Sequence, residues 1–575
     1  MKTSRVPSKR YVSGRSPSEL GSFALGALLF PLLIGCGPDR TVYSGGPILT
    51  MNTNNDVVEA IGIEGDRIAA VGSRAEVAEW AGEDARIVDL EERAMVPGFV
   101  DAHGHFPGEG VYVNVVDLNS PPIGDVENLD DLVELLRGRA ADTSAGEWVV
   151  GMSYDDTLIA EQRHPTRADL DRVSTEHPVG IIHVSGHLAV ANSMALELAG
   201  LDRNTEDPVG GVMQRGPDGE LNGVLEENAM NFVQGKVLTP GPLDSLRVIR
   251  EGSRLAISQG VTTVQNGFSP EGLIGPFQWL SRLGLIEPRI VIWPGMEVAD
   301  AVLAGEATLP EAAGPDVWIG AIKIVADGSI QGYTGYLSEP YHVPPGDDSD
   351  FRGYPRVPRD ELRERVTRYH AAGMQVAVHG NGDASIEDIL DAFEYAFEKH
   401  PRQDARPIII HAQMARPDQL DRMASLDVLP SFFSLHTFYW GDRHRRLFMG
   451  PERAARMSPA ATALEKGVRF TIHCDAPIVP LEPLRLVWSA VNRQTRSGFI
   501  VGPGERISPM QALRAVTIDA AYSMFLDEEL GSLEVGKFAD LAILSASPLD
   551  DPSAIDRLNV VETIRGGESI YKRAN

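Results

Sequence analysis

Eight short apolar runs constrain this chain more than any other feature: residues 95–101, 261–266, 290–294, 319–327, 375–381, 408–413, 428–435 and 469–475, each closing on polar or glycine residues. Longer segments able to hold helices separate them. Runs that are apolar throughout fit parallel strands buried on both faces, and eight of them with helical crossovers predict a closed (β/α)8 barrel of the TIM type, an α/β fold. The gap from about residue 105 to 260 far exceeds an ordinary βα connection. It carries its own apolar runs, Trp148-Val149-Val150-Gly151 and Val179-Gly180-Ile181-Ile182-His183-Val184, and a helical stretch over 130–139. It therefore reads as an inserted α+β subdomain that covers the mouth of the barrel.

Short β-type runs come before the first barrel strand: Thr41-Val42-Tyr43, residues 57–63 and Arg67-Ile68-Ala69-Ala70-Val71, parted by turns such as Glu64-Gly65-Asp66. After the last barrel strand, 509–525 reads as helix and Lys537–Leu544 returns to β character. Short strands with a free apolar face need partners, so the two ends are expected to form one small β-sandwich. The expected division is 1–35 signal peptide, 36–95 first part of the sandwich, 96–500 barrel with its insert at about 106–245, and 501–575 C-terminal helix and the rest of the sandwich.

The N-terminus has Lys2, Arg5, Lys9, Arg10 and Arg15, then an apolar run from Phe23 to Ile34, then Leu33-Ile34-Gly35-Cys36. These are the parts of a secretory signal, and the run is too short for the ~20 residues of a spanning helix. The ending resembles a bacterial lipobox, which implies cleavage before Cys36, lipidation of its sulfur and attachment to a membrane, with the outer membrane expected in a two-membrane cell. A plain signal anchor is the alternative. The formal net charge is −29, from 52 Lys and Arg against 81 Asp and Glu. Nucleic acid is excluded as an expected partner, because neutralising phosphates takes basic side chains.

The strongest local chemical signal is Val100-Asp101-Ala102-His103-Gly104-His105. Side chains at i and i+2 of a strand share a face, so His103 and His105 point at one spot and form half of a zinc site. Other strands end in ligand types as well: Lys323 after Ile322, His379 after Val378, His411 after Ile410, and Asp475 in Ile472-His473-Cys474-Asp475. In a barrel these ends surround a single site.

Here the sequence resembles a known family. Val96-Pro97-Gly98-Phe99-Val100-Asp101-Ala102-His103-Gly104-His105 is similar to the first metal motif of the amidohydrolase superfamily, and Leu530-Gly531-Ser532-Leu533-Glu534-Val535-Gly536-Lys537-Phe538-Ala539-Asp540-Leu541 to its C-terminal signature. Lys323-Ile324-Val325-Ala326-Asp327-Gly328-Ser329, His379-Gly380-Asn381-Gly382-Asp383, Asp475-Ala476-Pro477, Pro208-Val209-Gly210-Gly211 and Gly223-Val224-Leu225-Glu226-Glu227-Asn228-Ala229 resemble its N-substituted formamide deformylase-like branch. The resemblance implies a metal-dependent hydrolase of a C–N bond, in an amide or N-formyl or N-acyl amine, with two zinc ions per chain. His103, His105 and Asp475 are then ligands of the more buried ion, and His379 and His411 of the second. Lys323 bridges them as an N-carboxylated side chain, and Asp475 doubles as the catalytic base. A protonated lysine has no lone pair to offer a metal, and an unmodified Lys323 paired near Asp327 is the plain alternative.

Tyr154, His187, Tyr333, His436 and Trp440 are candidates to touch a small amide-like substrate, although for His187 and His436 ordinary packing is an equal reading. Cys474 reads as a small core residue. Two rival functions stay open. A one-metal deaminase or cyclic-amidine hydrolase would use His103, His105, His379 and Asp475, leaving His411 to orient water and Lys323 without a task. A catalytically silent, solute-binding surface lipoprotein would bind no metal.

Overall fold

Alternating apolar residues and a glycine turn start the fold. The computed structural model describes residues 40–232, 241–309 and 316–574. It opens with five strands, β1 (Arg40–Leu49), β2 (Val57–Glu64), β3 (Arg67–Gly72), β4 (Arg86–Asp89) and β5 (Ala94–Pro97). β2 and β3 form a hairpin whose turn needs Gly65 at φ 61°, a left-handed conformation that glycine adopts without strain. β1 pairs with β4 through Thr41–Ser44 and with β5 at Ile48, bending between these points where its register with β2 shifts.

The barrel begins at β6 (Phe99–Val100) and is then interrupted. Six strands follow, β7 (Val116–Asp117), β8 (Val149–Tyr154), β9 (Val179–His183), β10 (Leu188–Ala191), β11 (Gly211–Arg215) and β12 (Leu221–Glu227). They make a separate sheet in the order β11-β12-β10-β9-β8-β7. Helix Leu129–Ala141 covers it, burying Leu129, Leu132, Val133, Leu136 and Ala140, the spacing of one helical face. Asn128 caps this helix by accepting from the Asp131 amide at 3.0 Å.

Barrel strands resume with β13 (Val261–Ser269), β14 (Arg289–Pro294), β15 (Val317–Ile319), β16 (Ile322–Val325), β17 (Val376–Gly380), β18 (Ile408–His411), β19 (Leu429–Phe432) and β20 (Thr471–Ile472). Neighbours within the ladders β6-β13-β14-β15 and β16-β17-β18-β19-β20 are parallel. The ring closes where Asp475 N donates to His103 O at 3.2 Å and His105 N to Ala476 O at 2.8 Å. Strands are apolar on both faces: Ile290 and Ile292 join the outer core under the helices, whereas Val291 and Trp293 join the inner one. Val378 and Ala377 divide in the same way.

Two expected strands are each split in the structure. Residues 95–101 part at Gly98: Ala94–Pro97 joins the small sheet, and Phe99–Val100 joins the barrel. Pro97 has no N–H for a continued ladder, and a Cβ on Gly98 would lie 2.3 Å from Thr262 Oγ1. Residues 319–327 part at Gly320, where the backbone passes the Trp293 indole so closely that a Cβ would sit 2.5 Å from its nitrogen. The expected helix over 509–525 is likewise two helices, Pro509–Ala515 and Ile518–Ser523.

β21 (Leu541–Leu544), β22 (Val560–Arg565) and β23 (Glu568–Lys572) complete the N-terminal sheet, with β21 antiparallel to β5. The expected two-layer sandwich is one hydrogen-bonded sheet of eight strands folded over a shared core, because the bend in β1 lets a single strand serve both halves. Among the described residues no helix is long and apolar enough to cross a membrane. Cys36 and the signal segment lie outside the described residues.

Candidate metal centre

Inward-facing positions of the barrel strands carry the polar residues. Lys323 lies between Ile322 and Ile324, which belong to the outer core, so its side chain points inward. His379 follows the inner residue Ala377 by two and shares its face. His411 follows Ile409, an outer-core residue, by two, and simple alternation would aim it at the helices. Its φ of 70° turns it inward instead. Asp475 leaves the eighth strand at φ 56°, a second non-glycine residue in this costly region.

These side chains converge. Asp475 Oδ1 lies 3.1 Å from His105 Nε2 and 3.5 Å from His103 Nε2, and Asp475 Oδ2 lies 3.8 Å from His411 Nε2. Lys323 Nζ is 3.0 Å from His103 Nε2. The rings of His379 and His411 stand 4.5 Å apart, nearly perpendicular at 78°. His103, Lys323, His379 and His411 are buried, while His105 opens toward solvent.

Each buried imidazole is oriented by a partner on its far nitrogen. His103 Nδ1 meets Gln265 Oε1 at 2.6 Å, and Gln265 Nε2 donates to Ala102 O at 3.1 Å, which fixes the amide so that its oxygen faces the ring. His379 Nδ1 meets Asp327 Oδ1 at 3.2 Å. His411 Nδ1 meets His473 Nε2 at 3.0 Å, and His473 Nδ1 meets Ser431 Oγ at 2.9 Å. Ligand histidines typically have such partners. A Cβ on Gly267 would come within 2.3 Å of His103 Cε1, so only glycine lets the β13 backbone pass behind this ring.

Protonation agrees with ligand chemistry. Burial holds His103, His379 and His411 well below the usual imidazole range, so their rings are neutral. Burial also lowers the Lys323 ammonium to about 7, which makes the neutral amine available near neutral pH. Burial alone would raise Asp475, but its hydrogen bond with His105 and the nearby imidazoles outweigh that and hold it well below the carboxylate range. Burial raises Asp101, beneath the site, to about 7. A divalent ion fits this donor set, and the ligand atoms of His103, His105 and Asp475 all lie within 4.8 Å of one another. Lys323 makes no ion pair with Asp327 among the described residues; Asp327 instead accepts from the amides of Tyr336, Asn381 and Gly382.

The other candidate residues divide. His187, from the insert, stands with its ring 5.0 Å from that of His379, and its Nδ1 faces the buried Glu227 carboxylate at 3.0 Å. His436 packs between Phe433 and Trp440, ring to ring 4.4 and 4.7 Å, with Nδ1 3.0 Å from His444 Nε2. Trp440 donates its indole N–H to Asp155 at 3.1 Å. Tyr154 is a correction to the expected pocket: it is buried in the core of the insert, its hydroxyl 3.1 Å from His164 Nδ1. Tyr333 packs on Tyr341 and Phe448 in a side cluster. Cys474 is a free, buried core thiol.

A second acidic group, Asp155, Asp156 and His183, also lies within 4.8 Å. It already holds a cation, since Arg443 Nη1 donates to Asp155 Oδ2 at 2.7 Å. Both nitrogens of His183 are engaged as well, by Ser185 and Asp156. This network ties the insert to the loop after β19. Gln265 escaped the sequence reading, which had Asp327 only as the alternative partner of Lys323, Glu227 only inside a quoted motif and His473 beside Asp475 without a role. Only the regular polar punctuation of otherwise apolar strands could have pointed to Gln265.

A parallel barrel that gathers imidazoles, a neutral amine and a carboxylate at one end is the frame of a metal-dependent hydrolase. Comparison gives its family: a model described as Amidohydrolase family matches residues 86–571, and the chain belongs to that family. It is a hydrolase acting on carbon–nitrogen bonds. Among its relatives, an N-substituted formamide deformylase of Arthrobacter pascens is 27% identical over 92% of this chain and 97% of its own length. Putative amidohydrolase YtcJ of Bacillus subtilis is 28% identical over 93% of this chain and 100% of its own. An uncharacterized metal-dependent hydrolase from Pyrococcus furiosus superposes with a TM-score of 0.67 at 26% identity, covering 89% of this chain and 100% of that one.

Proposed function

We propose that this amidohydrolase cleaves the C–N bond of an N-formyl or N-acyl amine using two divalent ions, zinc in the first instance. His103, His105 and Asp475 would hold one ion and His379 and His411 the other, and Lys323, once N-carboxylated, would supply oxygen ligands to both. The observation that carries the reading is the convergence of Lys323, at a depressed pKa of about 7, with buried neutral imidazoles. A buried lysine that makes no ion pair among the described residues has little use in a one-metal site, whereas a bridge needs a neutral amine that can add carbon dioxide.

Divalent ions held by these residues would supply Lewis acidity toward the carbonyl oxygen and a water ionisable near neutral pH. Asp475 accepts the proton of the attacking water and returns it to the leaving nitrogen. Gln265, Asp327 and His473 keep the ligand rings aimed. His187 and His436 flank the open side and contact the substrate, with Glu227 orienting His187. Elemental analysis of gently purified protein, with turnover assays on N-formyl, N-acetyl and longer N-acyl amines, tests this reading. About two ions per chain and hydrolysis of at least one amide series are expected; a metal-free active enzyme refutes it. The N-terminal sequence supports a further element of the proposal: a mature chain beginning at diacylated Cys36 and held at the outer membrane of a two-membrane cell.

A further inference from the structure

One strained residue joins the insert to the metal centre. Glu227 closes β12 with its backbone at φ 49° and ψ −120°, a conformation that costs a residue with a Cβ about 1–3 kcal/mol. Its side chain is also only 1% exposed, and burying a carboxylate is costly unless partners replace its water. Those partners come from both sides of the junction. Within the insert, His187 Nδ1 meets Glu227 Oε2 at 3.0 Å, and Glu227 N donates to His187 O at 2.9 Å. From the barrel, Arg356 Nη1 donates to Glu227 Oε2 at 3.4 Å, while Arg356 Nε donates to the neighbouring Asn228 Oδ1 at 2.7 Å. Glu227 Oε1 fits against Gly328, where a Cβ would lie 2.0 Å from it. Only glycine lets the carboxylate seat there.

Two routes run from this carboxylate to His379. In the first, His187 packs its ring 5.0 Å from that of His379, tilted by 53°, so a fixed His187 limits how far the His379 ring can turn. In the second, Gly328 O accepts from Asn381 Nδ2 at 2.9 Å, Asn381 N donates to Asp327 Oδ1 at 3.0 Å, and the same oxygen meets His379 Nδ1 at 3.2 Å. Both routes end on one ligand of the second metal position. Neither passes through His103, His105 or Asp475, the ligand set of the first. Glu227 Oε2 is engaged by His187 and Arg356, so Glu227 acts through other residues.

We propose that Glu227 is a positioning residue for the second metal position: it seats the insert on the loop after β16 and thereby fixes the ring of His379, so that insert and barrel build this position together. This rests on the two-ion reading. The test is zinc competition against a chromophoric chelator, on purified protein stripped of metal. Removing a partner that orients a ligand histidine typically lowers metal affinity about 10–100-fold. Glu227→Met, which keeps the bulk but offers no acceptor, should weaken one of two zinc positions by that factor. Glu227→Gln, which can still accept from His187, should lose less. In a His379→Ala background, where only the first position is left, Glu227→Met should change zinc affinity by no more than about threefold.

Unchanged affinity at both positions in Glu227→Met overturns the proposal. So does equal weakening of both, or a larger loss in the His379→Ala background, since either marks a general loss of packing rather than support of His379. If Glu227→Met does not fold by circular dichroism, Glu227→Gln decides by the same comparison: a loss of at least about threefold at one position is expected, and no loss overturns the assignment. A parent that binds a single ion refutes the two-ion reading. The Glu227 assignment then stands only if Glu227→Met and His379→Ala each weaken that ion.

Discussion

Replacing Gln265 with Met tests whether the centre is built from oriented ligands or from histidines that merely lie close together. Gln265 is buried, and its oxygen holds His103 Nδ1 at 2.6 Å while its nitrogen donates to Ala102 O at 3.1 Å. Methionine keeps the length and apolar bulk but removes both hydrogen bonds, so the ring of His103 is free to turn and its tautomer is no longer set. Loss of such a supporting partner typically lowers metal affinity by about 10–100-fold, equivalent to roughly 1.4–2.8 kcal/mol. The unpaired Ala102 carbonyl and ring N–H add a folding cost of about 1–3 kcal/mol each if water does not reach them. Competition for zinc against a chromophoric chelator measures the first quantity, and the melting temperatures of the two metal-free proteins measure the second. A variant that melts lower yet binds zinc within about threefold of the parent refutes the assignment of His103 as a Gln265-oriented ligand.

Lys323→Ala should empty at least one metal position, and added short-chain carboxylic acids should restore part of the activity by supplying the missing bridge; an unchanged metal content argues against bridging. Asp475→Asn keeps size and shape but removes the proton acceptor, so kcat should fall at least about 10²–10⁴-fold with the fold intact by circular dichroism, and near-normal turnover is the contrary result. Cys36→Ser should abolish lipid attachment and leave kcat unchanged, as two acyl chains at ~0.8 kcal/mol per CH₂ supply the anchoring; a variant that still fractionates with membranes, from a parent lacking an acylated peptide, rules the anchor out.

Much of the centre was legible because barrel topology turns sequence order into spatial convergence. His103, His379, His411 and Asp475 each follow or end an apolar run, and such ends meet at one mouth, whereas Lys323 stands inside its strand, with Ile324 and Val325 after it, and reaches the same spot from an inward-facing position. Less legible was what surrounds them. Tyr154 was a pocket candidate with no motif behind it, and β8, which it ends, belongs to the insert and feeds that unit's own core. Glu227 sits 40 residues from His187 and meets it only because β12 lies beside β10 in the insert sheet.

The sequence by itself determined the elements whose cause is local or periodic: the doubly apolar barrel strands, the Asn128-capped helix, the Gly65 hairpin and the residue types at the strand ends. The tertiary structure decided what alternation cannot encode. His411 follows an outer-core residue by two and should face the helices, and a left-handed backbone at φ 70° brings it inward beside His379 and Asp475. That conformation is costly for a residue with a Cβ, so no local preference announces it. Packing around the finished barrel, including His473 behind the ring, holds it there.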